Sequence, residues 1–156
     1  MNTYLLAYNP KRWRWSDLPE MSTAVKSGET VLDRWGTGTS RRLKKGDRFF
    51  LIQLGGELKG IFASGHTETD SYQDLHWEEE KSLLGEMANY VQIRYDVLLD
   101  PETDSILPQE ILRHPPLSKM HWSIRMSGVQ IPNEVAYELE ILWKATAKQP
   151  NGRKRK

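Results

Sequence analysis

Residues 48–65 read RFFLIQLGGELKGIFASG, and this stretch decides the fold class. One apolar run extends from Arg48 to Leu54 and a second from Leu58 to Gly65. Between them lies Gly55-Gly56, a dipeptide typical of two-residue hairpin turns because glycine adopts the positive φ angles that such turns require. We therefore predict two antiparallel strands joined by a tight turn at Gly55-Gly56.

Three further segments have the composition of strands. They are Thr3–Tyr8, which ends at the Asn9-Pro10 breaker, Thr30–Trp35, and Tyr90–Leu99. The last alternates with period two and places Val91, Ile93, Tyr95, Val97 and Leu99 on one face. The sum is about five or six strands, most of them sequential and joined by short turns.

Helices are predicted between and after these strands. The candidates are Asp17–Lys26, with Ser16 as N-cap, and residues Glu78–Met87, Pro108–Arg113 and Pro132–Lys148. The last carries an apolar stripe at three- and four-residue steps. Hairpins with separate peripheral helices indicate an α+β fold with a curved sheet or small barrel, in one domain spanning residues 1–148. Residues 149–156 form a basic linker or tail.

The composition is that of a folded domain. Of the 156 residues, 38% are hydrophobic and 28% are charged. No apolar run is long enough to span a bilayer, and the first residues show no secretory signal pattern. The chain has no cysteine, which excludes disulfides and thiolate chemistry. We therefore expect a cytoplasmic protein that does not act on membranes.

The positive charge is clustered, although the net charge is only +1. Clustering provides one basic face on a nearly neutral protein, as contact with nucleic-acid phosphates requires. Solvated surface runs would explain each cluster equally well. The candidate phosphate-binding residues are Lys11, Arg12, Arg14, Arg41, Arg42, Lys44, Lys45 and Arg125.

Catalytic and metal-binding patterns are missing from the sequence. The four histidines have no spacing that metal ligation requires, and no phosphate-binding loop or nucleophile elbow is complete. We predict no metal, no cofactor and no catalytic residue. An enzyme would need a poised ionisable group, for which Asp33, Lys59 and Glu68 are the candidates.

Six tryptophans are the most informative feature of the sequence. Trp143 falls on the apolar stripe of the last helix and is predicted to be core, whereas the other five lie near turns and polar loops. Packing explains any one of them, since an indole buries a large area with a single polar atom. Indoles beside small residues can also stack on the faces of a flipped base while backbone and hydroxyl groups contact its edge.

Several segments carry a family resemblance. They are Tyr4–Pro10 with Trp13–Leu18, Trp35–Thr39 with Arg41–Asp47 and Phe49–Ile52, Gly60–Gly65, and Trp122–Val129 with Ile131. Over roughly residues 3–145 the chain resembles EVE domains of the PUA-like superfamily, which is related to ASCH and YTH domains. The resemblance is to members fused to HNH nucleases in modification-dependent restriction enzymes.

The resemblance implies a PUA-like fold and a binding domain without catalysis of its own. Its ligand would be double-stranded DNA with 5-methylcytosine, 5-hydroxymethylcytosine or N6-methyladenine flipped into an aromatic cage, and a C-terminal HNH nuclease domain could share the polypeptide. The family's loop tryptophan corresponds to Trp35, although the usual Asp-Gly of that loop is replaced by Arg34-Trp35-Gly36. The candidate base-binding residues are Asn9, Trp15, Trp35, Gly36, Thr37, Thr39, Tyr72, Trp77, Trp122, Ser127 and Gly128.

Three alternatives stay open at this point. PUA-like folds also bind RNA, for which contact with the 2′-hydroxyl would be diagnostic. A small ASCH-type hydrolase would use one of the ionisable candidates above. A protein-interaction domain would use exposed tryptophans to line a peptide groove.

Overall fold

The computed structural model describes the backbone of residues 1–154 and the side chains of residues 1–147. Of the basic tail predicted for residues 149–156, the backbone is described only as far as residue 154, and the side chains lie outside the described residues. Within residues 1–154 the chain forms eight strands and four α-helices, together with a short 3₁₀ turn at Leu117–Lys119. The α+β class predicted from the sequence is confirmed, whereas the expected five or six strands are too few.

The strands are β1 (Thr3–Tyr8), β2 (Leu32–Gly36), β3 (Arg48–Gln53), β4 (Gly60–Thr67), β5 (Tyr72–Leu75), β6 (Met87–Leu98), β7 (Leu107–Pro108) and β8 (Val129–Ile131). The helices are α1 (Leu18–Lys26), α2 (Glu79–Leu83), α3 (Gln109–Leu112) and α4 (Asn133–Lys154). None of the described helices has the length and apolar composition needed to cross a membrane.

The sheet has the strand order β2-β6-β4-β3-β1-β8, with β5 paired to β6 and β7 paired to β4. Strands β1 and β3 are parallel, and the other pairs are antiparallel. The predicted β3–β4 hairpin is confirmed, but its turn is longer than Gly55-Gly56, because Gln53 pairs with Gly60. Six residues, 54–59, therefore connect the two strands.

The helix predicted over Glu78–Met87 is wrong in extent. It ends at Leu83, and Met87 already belongs to β6, where it pairs with Leu75 of β5. Strand pairing with the mostly polar β5 accounts for the difference, since that partner strand was not predicted. Leu83 and Leu84, the two leucines of the predicted helical segment, are exposed.

Helix α4 covers one face of the sheet. Its buried residues Val135, Leu139 and Trp143 recur at four-residue steps, and Trp143 packs edge-on against Phe50 of β3 at 6.0 Å between ring centroids. The Trp143 Nε1–H donates to Ser64 Oγ of β4 at 2.8 Å. The prediction that Trp143 is a core residue is confirmed.

The sheet is strongly curved. Strands β2 and β1 are separated by β6, β4 and β3, so in a flat sheet they would lie ~19 Å apart at ordinary strand spacing. Yet the Trp35 Nε1–H of β2 donates to the Ala7 carbonyl of β1 at 3.1 Å. Register shifts at Leu51/Ile52 and Ser64/Gly65 lie between these strands, and bulges of this kind increase local twist.

Candidate functional site

A cavity of about 840 Å³ lies where the curvature brings β2 towards the end of β1. Its walls come from β1 and the segment after it, from β2, from the β5–α2 connection and from residues 124–127 before β8. Segments far apart in the sequence thus meet in one concave site. Ligand sites typically have this shape and size.

The floor of the cavity is an aromatic cluster. Trp13, Trp15 and Trp35 all line the cavity and contact one another, with centroids 5.9 Å (Trp13–Trp15), 5.9 Å (Trp13–Trp35) and 5.2 Å (Trp15–Trp35) apart. Tyr8 packs edge-on against the three indoles from the core side. We refer to these four side chains as the aromatic cluster.

Hydrogen bonds fix the cluster in place. The Tyr8 hydroxyl donates to the Trp13 carbonyl and accepts from the Trp15 backbone N–H, both at 3.3 Å, so one side chain of β1 holds the segment that follows it. The Trp35 indole is fixed by its bond to Ala7 described above. The Asn9-Pro10 breaker makes this arrangement possible, because the chain turns back there and returns over Tyr8.

The spacing within the cluster determines where a ligand can stack. A flat ring sandwiched between two aromatic rings needs ~7 Å between them, about twice the 3.5 Å van der Waals separation, and the three indoles are closer than that. Trp15 and Trp35 are only 7% and 6% exposed, whereas Trp13 is 39% exposed. Trp13 therefore presents the accessible indole surface, and the other two support it.

A second aromatic wall comes from the β5–α2 connection. Trp77 lines the same cavity, is 46% exposed and stacks on His76 with centroids 5.5 Å apart. The His76 Nδ1 accepts from the Glu78 backbone N–H at 3.0 Å, which orients the imidazole beneath the indole. The cavity thus has indoles from two separate segments.

One carboxyl group lies beside the cluster. Asp33 lines the cavity from β2, two residues before Trp35, so both side chains are on the same face of the strand. Asp33 Oδ2 accepts from the Tyr95 hydroxyl at 2.8 Å. Burial raises the pKa of Asp33 above its ordinary value, and the Tyr95 hydrogen bond counteracts this only in part.

Cationic side chains surround the cavity. Arg12, Arg34, Lys81 and Arg125 are exposed and line it. Arg34 is held over the Tyr90 ring at 3.8 Å and pairs with Asp74 at 3.3 Å, while Arg12 lies 4.0 Å from a Glu78 oxygen. Such exposed pairs are weak and can exchange a carboxylate for a ligand phosphate.

Two loops at the cavity are locked together by glycines. Gly128 has φ +91°, and a Cβ there would collide with the Thr37 carbonyl. Gly38 has φ +62°, and its Cβ would lie 2.6 Å from the Ser127 carbonyl. The Ser127 hydroxyl also accepts from the Ala7 backbone N–H at 3.1 Å. Close backbone contact, which only glycine allows here, positions the loop that carries Arg125 and the exposed Met126.

The structure brings six of the predicted base-binding residues to the cavity: Asn9, Trp15, Trp35, Gly36, Trp77 and Ser127. Thr37 is fully buried, and its hydroxyl donates to the Ser40 carbonyl, while Thr39 is exposed on the same loop. Tyr72 lies on β5, where its hydroxyl accepts from Gln92 Nε2 at 2.6 Å. These residues and Gly128 lie outside the cavity lining.

Trp122 also lies elsewhere. It is 4% exposed and donates through Nε1 to the Leu117 carbonyl at 2.8 Å. It borders a separate, smaller cleft of about 350 Å³. Among the predicted phosphate-binding residues, Arg12 and Arg125 line the main cavity. The others are exposed and outside its lining, namely Lys11, Arg14, Arg41, Arg42, Lys44 and Lys45.

Sequence reasoning missed several residues of the site. The sequence places Trp13 among the loop tryptophans but does not indicate that it belongs to the cage, and it suggests Asp33 only as a catalytic group. Asp33 and Trp35 are two residues apart on one strand, and this spacing could have revealed that both face the same site. Lys59 and Glu68, the other ionisable candidates, do not line the cavity, and Glu68 pairs with Arg94 at 3.1 Å. Among the described residues no three His, Asp or Glu side chains are grouped to hold a metal ion.

Comparison with solved structures identifies similar folds. A protein from Pseudomonas syringae matches with TM-score 0.60 and 18% identity over 90% of this chain and 98% of its own. A hypothetical protein from Leishmania major matches with TM-score 0.57 and 16% identity over 90% and 94%. A protein from Rhodopseudomonas palustris matches with TM-score 0.58 and 18% identity over 98% of both chains. No family model matches the chain, and no curated protein matches its sequence.

Proposed function

We propose that the chain is an EVE-type PUA-like domain that reads a modified base in double-stranded DNA, flipped out of the duplex into the cavity. The base is a 5-substituted cytosine or N6-methyladenine, and the domain supplies specificity to a modification-dependent restriction nuclease of the cytoplasm. The curvature that brings β1 and β2 together supports the small barrel of that fold. The domain binds and does not catalyse.

One observation carries the proposal: an accessible indole, Trp13, lies in a concave site whose border is cationic. An exposed indole in a cavity offers a flat surface on which any base can stack, and the surrounding arginines and lysine can neutralise the flanking phosphates. Trp77 and Met126 provide apolar surface elsewhere in the cavity. The combination fits a flipped nucleotide better than it fits an uncharged peptide, which would leave the cations without an anionic partner.

The test uses duplexes of one sequence that contain cytosine, 5-methylcytosine, 5-hydroxymethylcytosine or N6-methyladenine at one position. Fluorescence anisotropy measures binding by the wild type and by Trp13→Ala. Loss of one base-stacking contact of ~1–3 kcal/mol lowers affinity about 5- to 150-fold. Because Trp13 is 39% exposed and Trp35 only 6%, Trp13→Ala should cost less stability than Trp35→Ala.

Tyr137→Ala is the matched control, because Tyr137 is an exposed aromatic residue of α4 and does not line the cavity. It should bind like the wild type. Preference for one modified duplex, lost in Trp13→Ala alone, supports the proposal. Equal binding of all four duplexes, tighter binding of the matched RNA, or conversion of the modified nucleoside contradicts it.

A further inference from the structure

Asp33 has a place in the cavity that the stacking of a base leaves unexplained. Stacking occupies the two faces of a base and leaves its polar edge directed to the side. Asp33 is on the same strand face as Trp35 and lines the same cavity as Trp13, the accessible member of the aromatic cluster. Its hydrogen-bond partner Tyr95 lies against Trp15, with ring centroids 6.3 Å apart, so the Asp33 carboxyl group is near the cluster and in the cavity that a stacked ring would occupy.

The carboxyl group has unused capacity to accept hydrogen bonds. An ionised carboxylate offers about four acceptor positions. Two are occupied, since Oδ1 accepts from the Arg34 backbone N–H and Oδ2 from the Tyr95 hydroxyl, both at 2.8 Å. The pKa of Asp33 is raised mainly by burial, so these two donors do not replace the water that the group has lost. A donor from a ligand would complete its hydrogen bonding.

The neighbouring ionisable groups do not supply this donor. Tyr95 is buried and already donates to Asp33, and burial raises its own pKa well above the ordinary value. Asp17, at the start of α1, also lines the cavity, but its negative charge opposes ionisation of Asp33. The cavity side of the carboxyl group is thus an acceptor site.

We propose that Asp33 accepts a hydrogen bond from the exocyclic amino group of the bound base and thereby selects amino-bearing bases against their oxo analogues. This inference rests on the proposed function. An ionised carboxylate accepts but cannot donate, so it matches the amino group of cytosine, whereas it would face the carbonyl O4 of thymine with like charge. A 5-substituted cytosine fits this requirement with both amino hydrogens intact.

The decisive comparison is between 5-methylcytosine and thymine, each placed opposite guanine in the same duplex. Thymine has the same ring and the same 5-methyl group, and differs only at the edge that Asp33 would contact. A thymine–guanine mismatch is also easier to open, so the cost of flipping cannot explain weaker binding. We expect the wild type to bind the 5-methylcytosine duplex about tenfold or more tightly than the mismatch.

Two variants then test the role of the side chain. Asp33→Asn keeps the size and can bond to Tyr95, but its amide can donate to O4, so the ratio of the two affinities should fall several-fold. Asp33→Leu removes both acceptors, and the ratio should approach one. Thermal unfolding of each variant establishes that the protein under test is folded.

The outcomes separate this inference from the proposed function. If the wild type does not distinguish 5-methylcytosine from cytosine duplexes and Trp13→Ala changes nothing, the proposed function fails. If the wild type does read 5-methylcytosine through Trp13, but thymine binds equally well or both folded Asp33 variants keep the wild-type ratio, only the assignment of Asp33 is overturned. Collapse of the ratio in both variants supports it.

Discussion

Replacement of Ser64 by alanine tests how α4 is attached to the sheet. Ser64 Oγ accepts from Trp143 Nε1 at 2.8 Å and donates to Asp96 Oδ1 at 2.6 Å, and both Ser64 and Trp143 are buried. Without the hydroxyl, the indole N–H has no acceptor inside the protein, and a buried donor without a partner costs ~1–3 kcal/mol. Asp96 is half-exposed and still pairs with Arg48 in the variant, so losing the hydrogen bond from Ser64 to Asp96 adds little to the cost.

We therefore expect Ser64→Ala to lower the free energy of unfolding by about 2 kcal/mol, which corresponds to a fall in Tm of about 4–8 °C for a chain of this length. Urea denaturation measures the change, which should alter the midpoint and leave the m-value unchanged. Repeating the substitution in a Trp143→Phe background isolates the Trp143–Ser64 hydrogen bond, because phenylalanine has no N–H group that could lose its acceptor.

The coupling energy from this double-mutant cycle should be about 1–2 kcal/mol. Strictly additive effects would refute the view that this hydrogen bond holds α4 on the sheet. The DNA binding proposed above should be unchanged in Ser64→Ala at temperatures where the protein is folded, since neither Ser64 nor Trp143 lines the cavity.

Two further predictions concern the cavity and its loops. Gly128→Ala should lower Tm more than Gly46→Ala does. Both glycines have φ near +90°, but a Cβ at Gly128 meets the Thr37 backbone, whereas at Gly46 nothing lies within 4 Å. Equal losses of Tm would show that the contact between the two loops is unimportant. Asp33→Asn should raise Tm at pH 7. The pKa of Asp33 is higher in the folded than in the unfolded protein, so the stability of the wild type falls as the pH rises from the unfolded pKa to the folded pKa. This advantage should shrink as the pH is lowered through the folded pKa, and a Tm difference that is the same at pH 4 and pH 7 would contradict it.

Much of the fold could be predicted from the sequence where a segment carries its own signal. Strand β1 begins and ends at the predicted residues, because an apolar run stops at Asn9-Pro10. Strands β5 and β7 could not be predicted, since a short polar segment and a two-residue bridge form only because β6 and β4 pair with them. The prediction of a two-residue turn at Gly55-Gly56 is wrong for a similar reason, because the register of the β3–β4 pair depends on residues of both strands.

The candidate site was predictable in part. A tryptophan near a turn can face a cavity or the core, and the sequence does not distinguish the two. Trp35 and Trp122 both precede segments rich in glycine, serine or threonine, yet Trp35 lines the cavity and Trp122 packs against the 3₁₀ turn. The curvature of the sheet makes this difference, because it brings β2 across to Ala7 and leaves Trp122 outside.

The aromatic cluster combines core packing with the binding role proposed for it. Trp15 and Trp35 belong to the hydrophobic core, and their contacts with Tyr8 hold them rigid before any ligand arrives. Trp13 rests on both and exposes its remaining surface. A ligand that stacked on Trp13 would contact a surface that loses little conformational freedom on binding. A smaller loss of conformational entropy gives tighter binding for the same contact area. The core thus determines the geometry of the cavity. A change in Trp15 or Trp35 would impair folding and the proposed binding together, whereas a change in Trp13 is expected to affect mainly the proposed binding.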